Sequence, residues 1–207
     1  MSSDGKIIRI VITGGPGGGK TSALPVLAAE LSARGFGVVP VPETATELIS
    51  AGLTRETLGS QYAFQSLLMK KQLEKEKLAL TEAENLVKKE GRTAVIIFDR
   101  GLQDSRGYIP QSDFEKVLEK NGITEARSRD GYDAVFFLRS PAVDLPQSYT
   151  VLNNEARTES PEEAALTDRV TFDAWRGCPV FSEIGNETGF DGKICRLVRL
   201  VLEYVNG

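Results

Sequence analysis

The stretch Ile12-Thr13-Gly14-Gly15-Pro16-Gly17-Gly18-Gly19-Lys20-Thr21-Ser22 constrains the fold of this chain more than any other. Before it, Ile7 to Ile12 is a nearly unbroken β-branched run, the pattern of a strand covered on both faces. After it, Leu24, Leu27, Ala28 and Leu31 recur at helical spacing as far as Arg34, where Gly35 closes the element. Strand, glycine-rich bend and amphipathic helix together fit G-x-x-x-x-G-K-[ST], with Gly14, Gly19, Lys20 and Thr21 in the fixed places. Such a bend lets backbone N–H groups turn inward on phosphate oxygens, and the helix start adds its positive end. Gly14, Gly15, Pro16, Gly17, Gly18, Gly19, Lys20, Thr21 and Ser22 are therefore read as a cradle for ATP or GTP. Lys20 is expected on the β- and γ-phosphates and the Thr21 hydroxyl on Mg²⁺. Side chains at Gly17 or Gly18 are expected to obstruct the phosphates.

Further short apolar runs, Ala94 to Phe98, Ala134 to Leu138 and Val180 to Ile184, have the character of buried parallel strands. Val38 to Val41 is another, and Pro40 within it argues for the sheet edge, since a central proline would lose a ladder bond. Between Thr54 and Glu90 runs a long helical pattern, which Gly59 and Thr81 leave open as one helix or two. Its Lys and Glu residues read as a solvated face. Ser160-Pro161-Glu162-Glu163 spells a helix start with a capping box, running to Arg176 before Gly177. Leu197 to Val205 suits a closing helix. Strands alternating with helices predict an α/β fold. We expect a three-layer α/β/α P-loop sandwich whose five-stranded parallel sheet has the order 2-3-1-4-5. Residues 1–207 are expected to form one domain, with a lid at about 145–177 between strands four and five.

Composition narrows the partners. A net charge of −4 gives no basic field for nucleic acid, so any polyanion must be held locally. Two cysteines are too few for a disulfide framework or a zinc cluster, and the absence of histidine removes the commonest base and metal ligand. No run approaches the ~18 apolar residues of a membrane span, and the start, MSSDGK, lacks a signal peptide's apolar centre. A cytoplasmic protein is expected.

AVIIFDRG places Asp99 at a strand end, where a carboxylate can hold magnesium's hydration shell opposite Thr21 or simply cap the next turn. An ATPase with a glutamate base would read Asp-Glu; here Arg100 follows instead. Neither Asp-x-x-Gly nor Asn-Lys-x-Asp is present at the places a switch GTPase requires. Asp-Arg after the third strand looks like P-loop kinases acting on nucleosides and similar small molecules. Glu43, directly after strand two, either contacts the hydroxyl to be phosphorylated or serves as a favourable helix-start charge. Arg157, Arg169 and Arg176 lie where such kinases carry lid arginines that stabilise charge in phosphoryl transfer. The alternative for them is salt bridging to Glu155, Asp168 or Asp173. Arg139, closing strand four, is a further nucleotide-side candidate.

VITGGPGGGKTS, the glutamate after strand two, FDRGLQDSRGY and NNEARTESPEEA…DRVTFDAWRG resemble the NadR-like AAA-family P-loop domain. That group includes nicotinamide riboside kinase domains and the nucleotide-binding domain of an insect GTP-binding protein of TRP-channel trafficking, and NNEART to AWRG is more similar to the latter. The resemblance implies Lys20, Glu43, Asp99 and Arg157 as catalytic, with Thr21 and Asp99 serving the metal. It makes Arg100, Asp104, Tyr108, Asn154, Glu155 and Arg169 candidates for the lid or the second substrate. Cys178 departs from the histidine of a Trp-x-Gly-His-Pro pattern. No phosphate-binding barrel is expected after Gly207. Two activities remain open: a kinase for a small hydroxylated acceptor, or a slow nucleotide switch acting through a protein or lipid partner. The purine base and pairing with a second copy are open as well.

Overall fold

The computed structural model describes residues 5–148 and 160–207. Five strands, β1 (Ile7–Thr13), β2 (Gly37–Val41), β3 (Ala94–Asp99), β4 (Ala134–Leu138) and β5 (Phe181–Ile184), form one parallel sheet of order β2-β3-β1-β4-β5. The expected α/β fold and strand order are therefore observed, with Pro40 exposed on the edge strand β2. Alternate residues of each central strand enter opposite cores, Ile96 and Phe98 on one face and Val95 and Ile97 on the other. Both faces are covered, which is why these strands carry no polar alternation.

One core is closed by α1 (Lys20–Ala33) and α8 (Gly189–Asn206), through Leu27, Leu31, Leu197 and Val201. The other takes Met69, Ala79 and Ala83 from α3 (Gln61–Glu90), Phe114 and Val117 from α4 (Gln111–Lys120), and Trp175 from α7 (Pro161–Trp175). Three short α-helices, α2 (Thr44–Ser50), α5 (Glu125–Asp130) and α6 (Pro141–Asp144), and two 3₁₀ turns, Leu102–Gly107 and Pro146–Ser148, complete the helical elements of the described residues. No helix among them is long and apolar enough to cross a membrane.

The long pattern after Thr54 resolves into turns followed by a single 30-residue helix. Ser60 caps it by accepting from the Ala63 N–H at 3.1 Å, and Gly91 closes it in the left-handed conformation. Thr81 does not break it, because its hydroxyl turns back on the Lys77 carbonyl at 3.2 Å. The closing helix starts eight residues earlier than Leu197. Gly189 and Gly192 dilute the periodicity there, and Gly189, Phe190 and Lys193 of the first two turns line a cavity while Ile194 enters the core.

Parallel pairing brings all five C-terminal strand ends to one edge. The register sets Ile12 beside Asp99, so the glycine-rich bend leaves β1 next to the end of β3. The capping box at α7 forms as read: Glu163 N–H donates to Ser160 Oγ at 3.2 Å and Ser160 N–H to Glu163 Oε2 at 2.8 Å. Replacing Ser160 with alanine is expected to lower stability by about 1 kcal/mol, seen as a lower urea midpoint with an unchanged slope.

Candidate functional site

The bend of residues 14–19 is held from behind by the end of β4 and by α7. At Gly14 a Cβ would come within 2.0 Å of the Leu138 carbonyl oxygen, and at Gly18 within 2.6 Å of the same atom. Close backbone packing thus excludes a side chain at Gly18 before any phosphate arrives. Asp168 of α7, wholly buried, accepts the Gly15 N–H at 3.1 Å and the Ser140 N–H at 2.7 Å through one oxygen. Arg139 lies 3.1 Å from its other oxygen as an ion pair, without hydrogen-bonding direction. The Ser140 hydroxyl reaches the Pro16 carbonyl, completing the attachment.

Forward of this scaffold, α1 begins at Lys20 with no side-chain cap, so its first N–H groups lack the usual internal acceptor. Lys20 is buried, and its ammonium donates to the Gly14 and Gly15 carbonyls at 2.9 and 3.0 Å. Burial pulls its pKa from 10.5 down to about 8, aided by Arg100 and opposed by Glu43, Asp99 and Asp104. A positive end and a poorly solvated cation at one bend form an anion site.

On the β3 side, Arg100 is the one non-glycine residue with positive φ (69°) among those described. This backbone, costing of order 1–3 kcal/mol, aims its guanidinium at the Glu43 carboxylate, the Gly14 carbonyl at 3.2 Å and Asp104 at 3.0 Å. The Tyr108 ring lies 5.9 Å from the guanidinium carbon. Burial alone would push the Glu43 carboxyl up. Arg100, the Thr46 hydroxyl and Lys20 outweigh it and hold the group at about 2. Asp104 spends both oxygens on four donors: Thr13 Oγ1, Arg100, the Gly101 N–H and the indole N–H of Trp175.

These groups border a cavity of about 1330 Å³. Gly17 to Ser22, Glu43, Asp99, Arg100, Asp104 and Tyr108 all line it, which places most of the sequence-predicted residues together. Gly14 and Gly15 lie behind it as supports. Arg169 is exposed on α7 away from the lining, and Arg176 follows that helix, also exposed. Arg139 faces Asp168 and Glu183 and packs over Phe172, so its charge is committed to the scaffold. Asn154, Glu155 and Arg157 lie outside the described residues.

A family model for an AAA domain matches residues 9–185, from β1 to the end of β5. The chain belongs to this AAA-domain family. This AAA domain is accordingly a P-loop nucleotide-binding protein, and a P-loop of this kind typically takes its nucleotide with Mg²⁺. No curated protein matches the chain.

The residues present fit a magnesium ion. Asp99 Oδ1 is buried with no hydrogen-bond partner among the described residues, and burial followed by Glu43 raises its carboxyl to about 6. An orphaned carboxylate oxygen beside an anion cradle calls for a cation. Because Mg²⁺ commonly takes one or two carboxylates plus phosphates and water, no larger acidic cluster is required of the AAA domain, and none is found among the described residues.

Sequence reasoning missed several cavity and scaffold residues. Lys193 is buried, donates to Asn186 Oδ1 at 2.9 Å and to the Arg139 carbonyl, and has its pKa lowered by burial to about 8. Its signal was available: it shares an i, i+4, i+8 stripe with Leu197 and Val201, an apolar face that a lysine enters only for a partner. Asp168 stood in plain view beside Arg169, but nothing local marks a carboxylate that reaches Gly15.

The Lys20 pKa gives the AAA domain a signed pH dependence. As pH rises through about 8, free Lys20 loses its proton, whereas a bound phosphate tail holds that proton in the complex. Affinity for Mg·ADP is expected to fall about tenfold between pH 7 and pH 9 by calorimetry. A constant Kd across that range would contradict a buried, uncompensated ammonium.

Proposed function

We propose that this chain is a Mg²⁺-dependent small-molecule kinase. It would transfer the γ-phosphoryl group of ATP or GTP to a hydroxyl of a nucleoside-like or nicotinamide riboside-like acceptor, in line with the NadR-like resemblance of its motifs. The observation that carries this reading is the extent of the cavity. The strand order sends the loops after β2 and β3 to one side of the glycine-rich bend and those after β4 and β5 to the other. Lining residues occur on both sides: Glu43, Thr44, Gln65 and Ser105 on the first, Pro141, Leu145, Asn186 and Phe190 on the second. At about 1330 Å³ the space exceeds the few hundred to ~1,000 Å³ typical of a single-ligand site. A nucleotide lying across the bend toward Phe190 leaves the β2/β3 side for a second molecule.

In the proposed step the acceptor hydroxyl oxygen bonds to the γ-phosphorus while the bond from that phosphorus to the β–γ bridging oxygen breaks. The nucleoside diphosphate leaves with the electron pair, and the hydroxyl proton, pointed at Glu43 before transfer, is released to solvent. Thr21 and Asp99 would hold the magnesium ion, which would supply charge neutralisation on the phosphates. Glu43, at about 2, is too weak a base to take the proton early. Its fit is to orient the hydroxyl as hydrogen-bond acceptor, which suffices when the transition state is loose and the nucleophile needs little activation. Lys20 offers positive charge at the γ-position, a role Arg157 would share from the lid, while Arg100 fixes Glu43. Asp104 acts through Arg100, whose guanidinium it fixes, and Tyr108 borders the acceptor side. We assign Asn154, Glu155 and Arg157 to a lid within a single nucleotide-binding domain; α7, inside the expected span of 145–177 and carrying Arg169, is fixed to the bend and the core through Asp168 and Trp175 and does not move with it. Closure of that lid over the phosphates would exclude water.

Acceptor-stimulated release of ADP or GDP tests the reading. Turnover only in the presence of a hydroxylated acceptor supports it, whereas nucleotide hydrolysis at the same rate with and without acceptors favours the switch. Glu43→Gln is expected to reduce acceptor-dependent kcat/KM at least about tenfold with nucleotide Kd within about twofold. Equal loss of both would make Glu43 a support for Arg100 alone. Lys20→Ala is expected to lower turnover about 100-fold or more while the far-UV spectrum is unchanged.

A further inference from the structure

The wall of the cavity on the β2/β3 side holds two polar groups that the proposed transfer does not use. Gln65 of α3 is 3% exposed and its Oε1 has no hydrogen-bond partner among the described residues. Ser105, in the turn after β3, is 2% exposed and its hydroxyl is likewise without a partner there. Both line the cavity, on the same side as Glu43. Buried polar groups are nearly always satisfied, so two orphans in one cavity wall point to hydrogen bonds supplied from outside the protein.

The groups around them are already committed. Thr44 Oγ1 donates to Gln72 Oε1 at 2.5 Å, Gln72 Nε2 donates to Glu76 Oε1 at 3.3 Å, and the Tyr132 hydroxyl donates to the same Glu76 oxygen at 2.6 Å. Arg9 pairs with Glu76, Arg100 with Glu43 and Asp104, and Arg55 with Glu56 at the rim. Apart from Asp99, whose free oxygen is assigned to magnesium, these charges have their counter-charges, and a ligand finds neutral polar groups set among Phe64, Leu68 and the Tyr108 ring. A carboxamide offers an acceptor and a donor side by side in one plane. Its terminal torsion is soft, so the group can turn to present either atom to a ligand.

We infer that Gln65 and Ser105 bind the planar donor–acceptor edge of a neutral nucleoside, seated on the β2/β3 side with a sugar hydroxyl toward Glu43. This rests on the kinase reading and adds to it the residues that select the acceptor. A site built to hydrogen-bond a ligand edge rejects analogues that lack it, because its own buried groups are then left unpaired.

Calorimetry on the full chain tests this with Mg·AMP-PNP and Mg·GMP-PNP first, then adenosine, guanosine, cytidine and uridine, with D-ribose and ribose 5-phosphate as comparators. The expected result is that a triphosphate analogue binds and that at least one nucleoside binds in its presence, more tightly than D-ribose. Gln65→Leu is expected to weaken that nucleoside about tenfold or more, with triphosphate affinity within about twofold. Ser105→Ala, a smaller change, is expected to act in the same direction and serves if the leucine variant does not fold. Nucleoside binding unchanged in the folded variants, ribose 5-phosphate binding more tightly than every nucleoside, or no nucleoside binding at 10 mM while a triphosphate binds, each overturns the assignment of this wall alone. Failure of both triphosphate analogues to bind overturns the kinase reading and this inference together.

Discussion

Two buried aspartates hold the glycine-rich bend, and the rest of the site depends on them. Asp104 gathers Thr13 at the end of β1, Gly101 and Arg100 after β3, and Trp175 at the end of α7. Asp168 gathers Gly15 of the bend and Ser140 after β4, with Arg139 alongside. A carboxylate withdrawn from water is costly unless donors surround it, so each must keep its partners in place. Asp168 and Trp175 lie on the same helix, which therefore braces the bend from two directions. Gly15 meets this constraint in its own identity, since a Cβ there would lie 2.5 Å from Asp168. A preorganised bend is worth more to a polyanion than a flexible one, because little ordering remains to be done on binding.

Within that frame the ionisable groups are driven apart by their surroundings. Arg100, buried among Glu43, Asp104 and Asp99, holds Glu43 at about 2, whereas Asp99 is raised to about 6 and Lys20 lowered to about 8. Two carboxylates close to one cluster thus differ by some four units, the separation expected when groups have different roles. One is spent on an internal guanidinium and stays charged over the whole working range. The other has an unsatisfied oxygen and gains most from a cation. The strained backbone at Arg100 belongs to the same arrangement: from the left-handed conformation its side chain serves Glu43, Gly14 and Asp104 at once.

The sheet and the phosphate bend were legible because their signals are local. β-branched runs mark the strands, Pro40 marks the edge, and glycines followed by Lys20 and Thr21 mark the bend. Ser160 and Glu163 declared the start of α7 for the same reason. What stayed hidden lies in long-range contacts. Trp175 and Asp104 are 71 residues apart, and Gly15 and Asp168 are 153 apart. Neither pairing has a spacing to betray it. Gln65 is an intermediate case. In α3 it belongs to the stripe Gln65, Met69, Gln72, Glu76, Ala79 and Ala83, all buried. Three polar residues at core-facing positions of a long helix are a readable anomaly, but the surface charge of the helix drew attention from it.

That stripe also explains how one helix can serve both fold and ligand. Its lower half, Ala79 and Ala83, packs on the sheet as small apolar residues that let α3 approach closely. Its middle, Gln72 and Glu76, joins Thr44, Tyr132 and Arg9 in a buried polar chain that fixes the helix against β1 and the start of α2. The N-terminal part of the helix, from Gln61 to Gln72, borders the cavity. A hydrogen-bonded polar chain below an unsatisfied carboxamide has a mechanical consequence. The groups that must not move are bonded to the protein, and the group left over can rotate without disturbing them. Ligand selection on the β2/β3 side can therefore change by substitution at Gln65 while the brace at Asp104 and the cradle at Lys20 keep their geometry.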